Sequence, residues 1–281
     1  MVLPLDVTLL VLLAALMHAS WNALAKSASN KLLDITAMAL AGGMVCALAL
    51  PFLPLPEPEA WPWLAASLLL HFLYFMALVG AYNSADLSHA YPLMRGVAPL
   101  LVALFGVVLL DDHLTASMWA GIALISTGIL LPFWLGSRSG QDLLKSSSFA
   151  LANAVIIGAY TLVDGFGTRL SAHPLSYCLW LFLLDPLPIL AIALARHGGG
   201  VWRHLQQRWL TCTAGGVLTV CAYGIVLWAM TRAPIAAVSA LRETSVIFAA
   251  VIGAVFLHEG FGKLRIAGAV LVVGGIAALR L

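Results

Sequence analysis

Two arginines head apolar runs that otherwise carry almost no charge. Arg95 opens Arg-Gly-Val-Ala-Pro-Leu-Leu-Val-Ala-Leu-Phe-Gly at 95–106, and Arg242 opens Arg-Glu-Thr-Ser-Val-Ile-Phe-Ala-Ala-Val-Ile-Gly at 242–253. Three acids, Asp164, Asp185 and Glu243, lie in comparable surroundings. Charge within an apolar span is costly, so each such residue is a functional candidate by default. Arginine grips a carboxylate or phosphate bidentately. An acid can meet an amine or carry a coupling proton. Two arginines with two or three acids suit a zwitterion.

Helical spacing gathers further polar groups onto single faces. His18, Trp21, Asn22 and Ala25 share one face, and His71, Tyr74 and Leu78 another. Tyr91 aligns with Arg95, Asn153 with Tyr160 and Asp164, Tyr177 with Asp185, and Ser245 with Arg242. The substrate-binding candidates are therefore Trp21, Asn22, His71, Tyr74, Tyr91, Arg95, Tyr160, Arg242, Glu243 and Ser245. Asp164, Asp185 and Glu243 are the proton-coupling candidates. His18 and His71 could relay protons as well, because imidazole titrates near neutrality. The competing reading is structural: an ion pair of Arg242 with Glu243, or of Arg95 with Asp185. Neighbours on a helix do not face each other, so the first pair requires bent side chains. Asp112 and Glu259 fall at helix ends, where an acid can simply fix a loop.

The elements that must position these groups are apolar helices. Of the 281 residues, 62% are hydrophobic and 9% charged, with a mean hydropathy of +1.01. Soluble domains carry about 25% charged residues, so the chain is a polytopic membrane protein. A span needs about 20 apolar residues. Ten stretches qualify: 4–25, 33–53, 61–82, 88–110, 116–135, 147–168, 174–195, 208–230, 235–257 and 263–280. Before the first of them there is no basic region of the cleavable-signal type, which makes it the first span. Pro92 and Pro99 should kink the fourth helix, and Pro186 and Pro188 should break the seventh.

The arginine stretch repeats about 147 positions later. Arg95 aligns with Arg242, Gly106 with Gly253, Asp112 with Glu259, Gly121 with Gly268 and Gly128 with Gly275. The polar segment 137–146 reads as a linker between a five-helix repeat at 1–136 and another at 147–281. Five is odd, so the second repeat enters from the opposite side, giving an inverted repeat with its site at the repeat interface. The expected fold is all-α, with ten transmembrane helices. The repeated glycines are expected at close-packing positions. Twelve Lys and Arg residues lie outside Arg95 and Arg242, and nine of them fall in loops after odd-numbered helices. The positive-inside rule then places those loops in the cytoplasm and both termini outside.

Several classes are excluded. A net charge of +2 without a basic, aromatic-interleaved cluster gives no nucleic-acid footprint. Cys46, Cys178, Cys212 and Cys221 lie in apolar runs without a Cys-x-x-Cys pair, so neither a disulfide frame nor a metal site is expected. There is no nucleophile elbow, no His-Glu-x-x-His and no P-loop. The histidines are scattered, which disfavours a membrane-embedded enzyme. No cofactor is expected. Both repeats lie in one chain, which suggests a monomer, with a dimer possible. The expected partners are the lipid bilayer and a small-molecule substrate.

Four motifs carry a family resemblance: His-Ala-Ser-Trp-Asn-Ala-Leu-Ala-Lys at 18–26, Ala-Tyr-Pro-Leu-Met-Arg-Gly-Val-Ala-Pro-Leu at 90–100, Leu-Asp-Asp-His-Leu-Thr at 110–115 and Leu-His-Glu-Gly-Phe at 257–261. With the ten-helix inverted repeat, the chain resembles the EamA-like branch of the drug/metabolite transporter superfamily. That resemblance implies a central cavity lined by helices 1, 3, 4, 6, 8 and 9. It also implies export or exchange of small metabolites, often amino acids, by alternating access. The chain departs from the pattern in its doubled acid Asp111-Asp112 and in Asp185-Pro186, which matches no family site. The expectation is a secondary exporter of a small polar metabolite, an amino acid or related carboxylate, in the cytoplasmic (inner) membrane. The alternative is a flippase or transporter for a lipid-linked sugar, a phospholipid-like amphiphile or an organophosphate.

Overall fold

The computed structural model describes residues 3–26, 30–84, 87–110, 112–135, 141–256 and 262–281, some of them as backbone only. The described chain is helical and contains no strand. The helices are α1 (Leu5–Lys26), α2 (Lys31–Ala49), α3 (Trp61–Ser84), α4 (Leu87–Leu110), α5 (Ala116–Leu135), α6 (Gln141–Leu170), α7 (Pro174–Leu184), α8 (Pro186–His197), α9 (Gly200–Gln207), α10 (Trp209–Met230), α11 (Ile235–Arg242), α12 (Ser245–Phe256) and α13 (Lys263–Ala278).

Eight segments of the described chain are long and apolar enough to cross a membrane. Two of them combine short helices: α7 with α8, and α11 with α12. The stretches at 61–82 and 263–280, also expected to span, form α3 and α13. With 16 residues, α13 is below the usual spanning length. Part of α3 has no described side chains. The polar stretch 141–146 was expected to be linker, yet it forms the first turns of α6. The segment after α8, read as loop, contains the amphipathic helix α9, with Val201 buried and Trp202 and Arg203 exposed.

Polarity is arranged for lipid. Leu9, Leu48, Val108, Leu109, Val255, Val270 and Val273 face outward, whereas Asn153, Thr161, Asp164, Arg242 and Glu243 are buried. An outer surface of this kind is stable against hydrocarbon, and the helices satisfy their own backbone groups there.

The packing follows a two-fold axis. α1 runs along α10 as α3 runs along α6, and α4 packs on α6 as α11 and α12 pack on α1. On the axis α5 crosses α13. A Cβ added at Gly121 would stand 2.8 Å from the Gly275 carbonyl oxygen, and one at Gly128 would stand 2.6 Å from that of Gly268. Exchanging the repeats turns one contact into the other. These four glycines let the two backbones touch, as small residues do between membrane helices.

Two spans are interrupted. Pro186 lacks an N–H and opens α8 in its first turn, where that donor is not needed. Both prolines of α4, Pro92 and Pro99, stay inside one helix. The other break is at Glu243–Thr244, where no proline occurs. There the Thr244 amide bonds the Leu241 carbonyl at 3.2 Å, and the Thr244 hydroxyl donates to the same oxygen at 2.8 Å. A threonine side chain that serves the backbone in this way competes with the helical ladder.

Candidate functional site

Arg95 on α4 and Arg242 at the end of α11 meet on one carboxylate, that of Glu243. Arg95 Nε is 3.1 Å from Oε2 and its Nη1 donates to Oε1 at 3.3 Å. Arg242 donates to Oε1 from Nη2 at 3.3 Å and from Nε at 3.4 Å. The break after α11 allows Glu243 to turn back to its neighbour, so the Arg242–Glu243 pair forms. Arg95 joins Glu243 and not Asp185, which corrects the other pairing weighed from the sequence. All three residues are buried. Among the described residues, two guanidiniums on one acid leave a formal excess of positive charge.

Arg95 also contacts α1, with Nη2 2.6 Å from Nε2 of His18. Trp21 Nε1 donates to Nδ1 of the same ring at 3.3 Å, and the two rings meet edge-on with centroids 5.4 Å apart. Arginine and the indole have only donors and a neutral imidazole has one acceptor nitrogen, so Arg95 and Trp21 compete for His18. Arg242 Nη2 also donates to Thr161 Oγ1 at 3.4 Å, and its Cζ lies 6.0 Å from the centre of the Tyr160 ring.

A second, acidic centre adjoins Tyr160. His71 packs on Tyr160 with ring centroids 4.5 Å apart. Its Nε2 is 3.9 Å from Asp164 and its Nδ1 is 3.8 Å from Asp185. Asp164 accepts from the Tyr177 hydroxyl at 3.1 Å and from the Tyr223 hydroxyl on its other oxygen. α3, α6, α7 and α10 thus converge on two carboxylates with one imidazole between them. Among the described residues no group of three His, Cys, Asp or Glu side chains is arranged to hold a metal ion.

The structure therefore brings together His71, Arg95, Tyr160, Asp164, Asp185, Arg242 and Glu243 of the predicted set. Tyr74 borders the group, edge-on to Tyr160 at 6.0 Å. Asn22 is less engaged, since its amide donates to the His18 carbonyl of its own helix at 2.8 Å. Ser245 is buried, with its hydroxyl in no described hydrogen bond. The side chain of Tyr91 and the motif at 257–261 lie outside the described residues. Thr161, Tyr177 and Tyr223 belong to the two centres although they were not in the predicted set. Tyr177 shares a helical face with Asp185, whereas Tyr223 and Cys221 lie on neighbouring faces of their helix and nothing in that spacing points to Asp164.

Asp112 is structural. Its Oδ1 pairs with Arg169 Nη1 at 3.0 Å, and its Oδ2 accepts from the Ile235 amide at 2.8 Å. The acid that ends α4 thus caps α11 in the other repeat. Arg169 completes the knot by donating to the carbonyls of Met230 and Ala233 at 2.9 and 3.1 Å. A separate cluster places the buried Asp34 carboxylate 3.0 Å from His204 Nε2 and 3.1 Å from Arg208 Nε, which ties α9 to α2.

This is the architecture of a multi-pass membrane protein with a polar centre between two repeats. The model of the EamA-like transporter family matches residues 7–134 and again 144–281, and the chain belongs to that family. The two matches fall on the two repeats. A protein of known crystal structure shares the fold, with a TM-score of 0.81 at 20% identity over 98% of each chain. No curated protein matches the chain.

Proposed function

We propose that the protein is a secondary carrier that exports a small zwitterion, an amino acid or close relative, across the cytoplasmic membrane by alternating access. Membership of a transporter family gives the class. The observation that carries the substrate is the proximity of two charge centres around Tyr160, of opposite excess among the described residues. Arg95 and Arg242 share Glu243, with Arg242 over the Tyr160 ring, and Asp164 and Asp185 share His71, which packs on the same ring. A substrate carboxylate would compete with Glu243 for the guanidiniums, and an ammonium would settle among the acids. Differential binding of this kind is what lets a ligand shift a two-state equilibrium. Asp164 and Asp185, joined through His71, would also carry a coupling proton. A lipid-linked sugar or organophosphate would use the arginines equally well, but it leaves the two acids without a counter-charge. The zwitterion is favoured for that reason.

The test is uptake into proteoliposomes loaded with the same amino acid, using labelled amino acids, their decarboxylated amines and their deaminated acids. Exchange of the zwitterion, weakened in both half-analogues and lost in Arg95→Ala and Arg242→Ala, is expected. Exchange that ignores both substitutions overturns the assignment.

A further inference from the structure

A crevice of about 80 Å³ opens between α1, α2, the α7–α8 break and α10. A single water takes about 10–15 Å³ of such space, so there is room for several waters or one apolar side chain. Its walls are apolar, with Trp21, Met38, Phe182 and Val220 among them. Thr219 also lines it, but its hydroxyl donates to the Gly215 carbonyl of its own helix at 2.8 Å. That leaves Asp185 as the charged group in the lining. The Asp185 side chain is 16% exposed, whereas those of Asp164 and Glu243 are fully buried. The crevice also adjoins both charge centres. Through Trp21 it touches His18, which holds Arg95. Through Asp185 it touches His71, which leads to Asp164.

We propose that this crevice receives an ammonium group with a bulky apolar body, the ammonium at Asp185 and the body against Trp21, Met38, Phe182 and Val220. This rests on the zwitterion reading for the carboxylate end only. It narrows the substrate to amino acids with large apolar side chains. A small polar side chain would leave the apolar walls unfilled. An organic anion would meet Asp185 with like charge.

The experiment uses the purified full-length protein and measures affinity by thermal shift for alanine, leucine, phenylalanine and phenethylamine. Discrimination between side chains that differ by several apolar carbons should exceed about tenfold. Phenylalanine and leucine are therefore expected to bind more than tenfold tighter than alanine. That ratio should collapse towards one in Ala39→Phe and in Thr219→Leu, each of which fills the crevice from a different helix. Phenethylamine needs Asp185 and the crevice but neither arginine, so it separates the two proposals. Its binding, lost in Asp185→Asn and kept in Arg95→Ala, upholds the crevice even where no amino acid is exchanged. Equal affinities across the series, or a ratio unchanged in both filled variants, overturn the crevice while amino-acid exchange still stands.

Discussion

Arg95 of the first repeat lies against Glu243 of the second, Nε to Oε2 at 3.1 Å, and Arg242 shares that carboxylate. The two arginines that the repeat places at equivalent positions thus converge on one acid. Removing one member of a buried ionic group leaves the rest uncompensated, at a cost of about 3–5 kcal/mol.

Glu243→Gln preserves shape and removes the charge, stranding two guanidiniums in the interior. The variant should melt well below the parent in detergent. Adding Arg95→Gln should recover part of that loss, because one stranded cation is removed with it. A double-mutant cycle reads the coupling. Additive losses would show that the two side chains do not stabilise each other.

Asp112 should matter through the backbone it caps. Loss of a helix N-cap costs about 1 kcal/mol, and Asp112→Ala also leaves Arg169 without its carboxylate. Hydrogen exchange at the amides of Ile235–Val238 should quicken in Asp112→Ala, while exchange in the middle of α5 stays slow. Unchanged exchange at the start of α11 would remove the capping role.

Much of this architecture can be read from residue order, and the reasons are physical. Apolar runs of spanning length report helices because hydrocarbon tolerates few alternatives. The recurrence of Gly121 and Gly128 at Gly268 and Gly275 marks the surface where α5 and α13 touch. Helical period also placed Arg95, Tyr160, Asp164 and Arg242 on polar faces. It cannot say which face meets which. Tyr177 and Tyr223 reach Asp164 from two other helices, and that convergence is tertiary. The break before α12 was hidden for another reason. It uses the Thr244 hydroxyl on the Leu241 carbonyl, a local competition that many threonines in helices never win. Without the break, the Arg242–Glu243 pair looks geometrically awkward. The helical start of α6 at 141–146 is not legible, because hydrophilicity alone does not distinguish a linker from the polar end of a helix.

The glycine crossing gives a sharper test of the two-fold packing. A methyl group at Gly128 would press on the Gly268 carbonyl, which is backbone and cannot swing aside. Gly128→Ala and Gly121→Ala should each lower the melting temperature, by an amount typical of overpacking, about 1–3 kcal/mol. Gly274 is one residue from Gly275 on α13, but a Cβ there meets no described atom within 4 Å. Gly274→Ala should therefore be neutral or slightly stabilising, since alanine favours helix over glycine. Equal behaviour of the three variants would contradict the crossing.

Coupling and substrate binding should separate at Asp164. This carboxylate accepts from Tyr177 and Tyr223 and faces His71, which in turn faces Asp185. If that chain carries the coupling proton, Asp164→Asn removes a protonatable group while keeping an acceptor for one of the tyrosines. Exchange of substrate at equal pH needs no net proton movement, so it should persist in Asp164→Asn, with at most a weaker affinity. Accumulation against a gradient needs the proton, so it should fall to the level of simple equilibration when a pH difference is imposed on proteoliposomes. His71→Gln, which interrupts the chain between the two acids, should give the same split. Tyr223→Phe removes one hydrogen bond but no protonatable carboxylate, so it should slow transport without uncoupling it. Accumulation that survives in both Asp164→Asn and His71→Gln would place the coupling group elsewhere and leave Asp164 a purely structural acceptor for its two tyrosines.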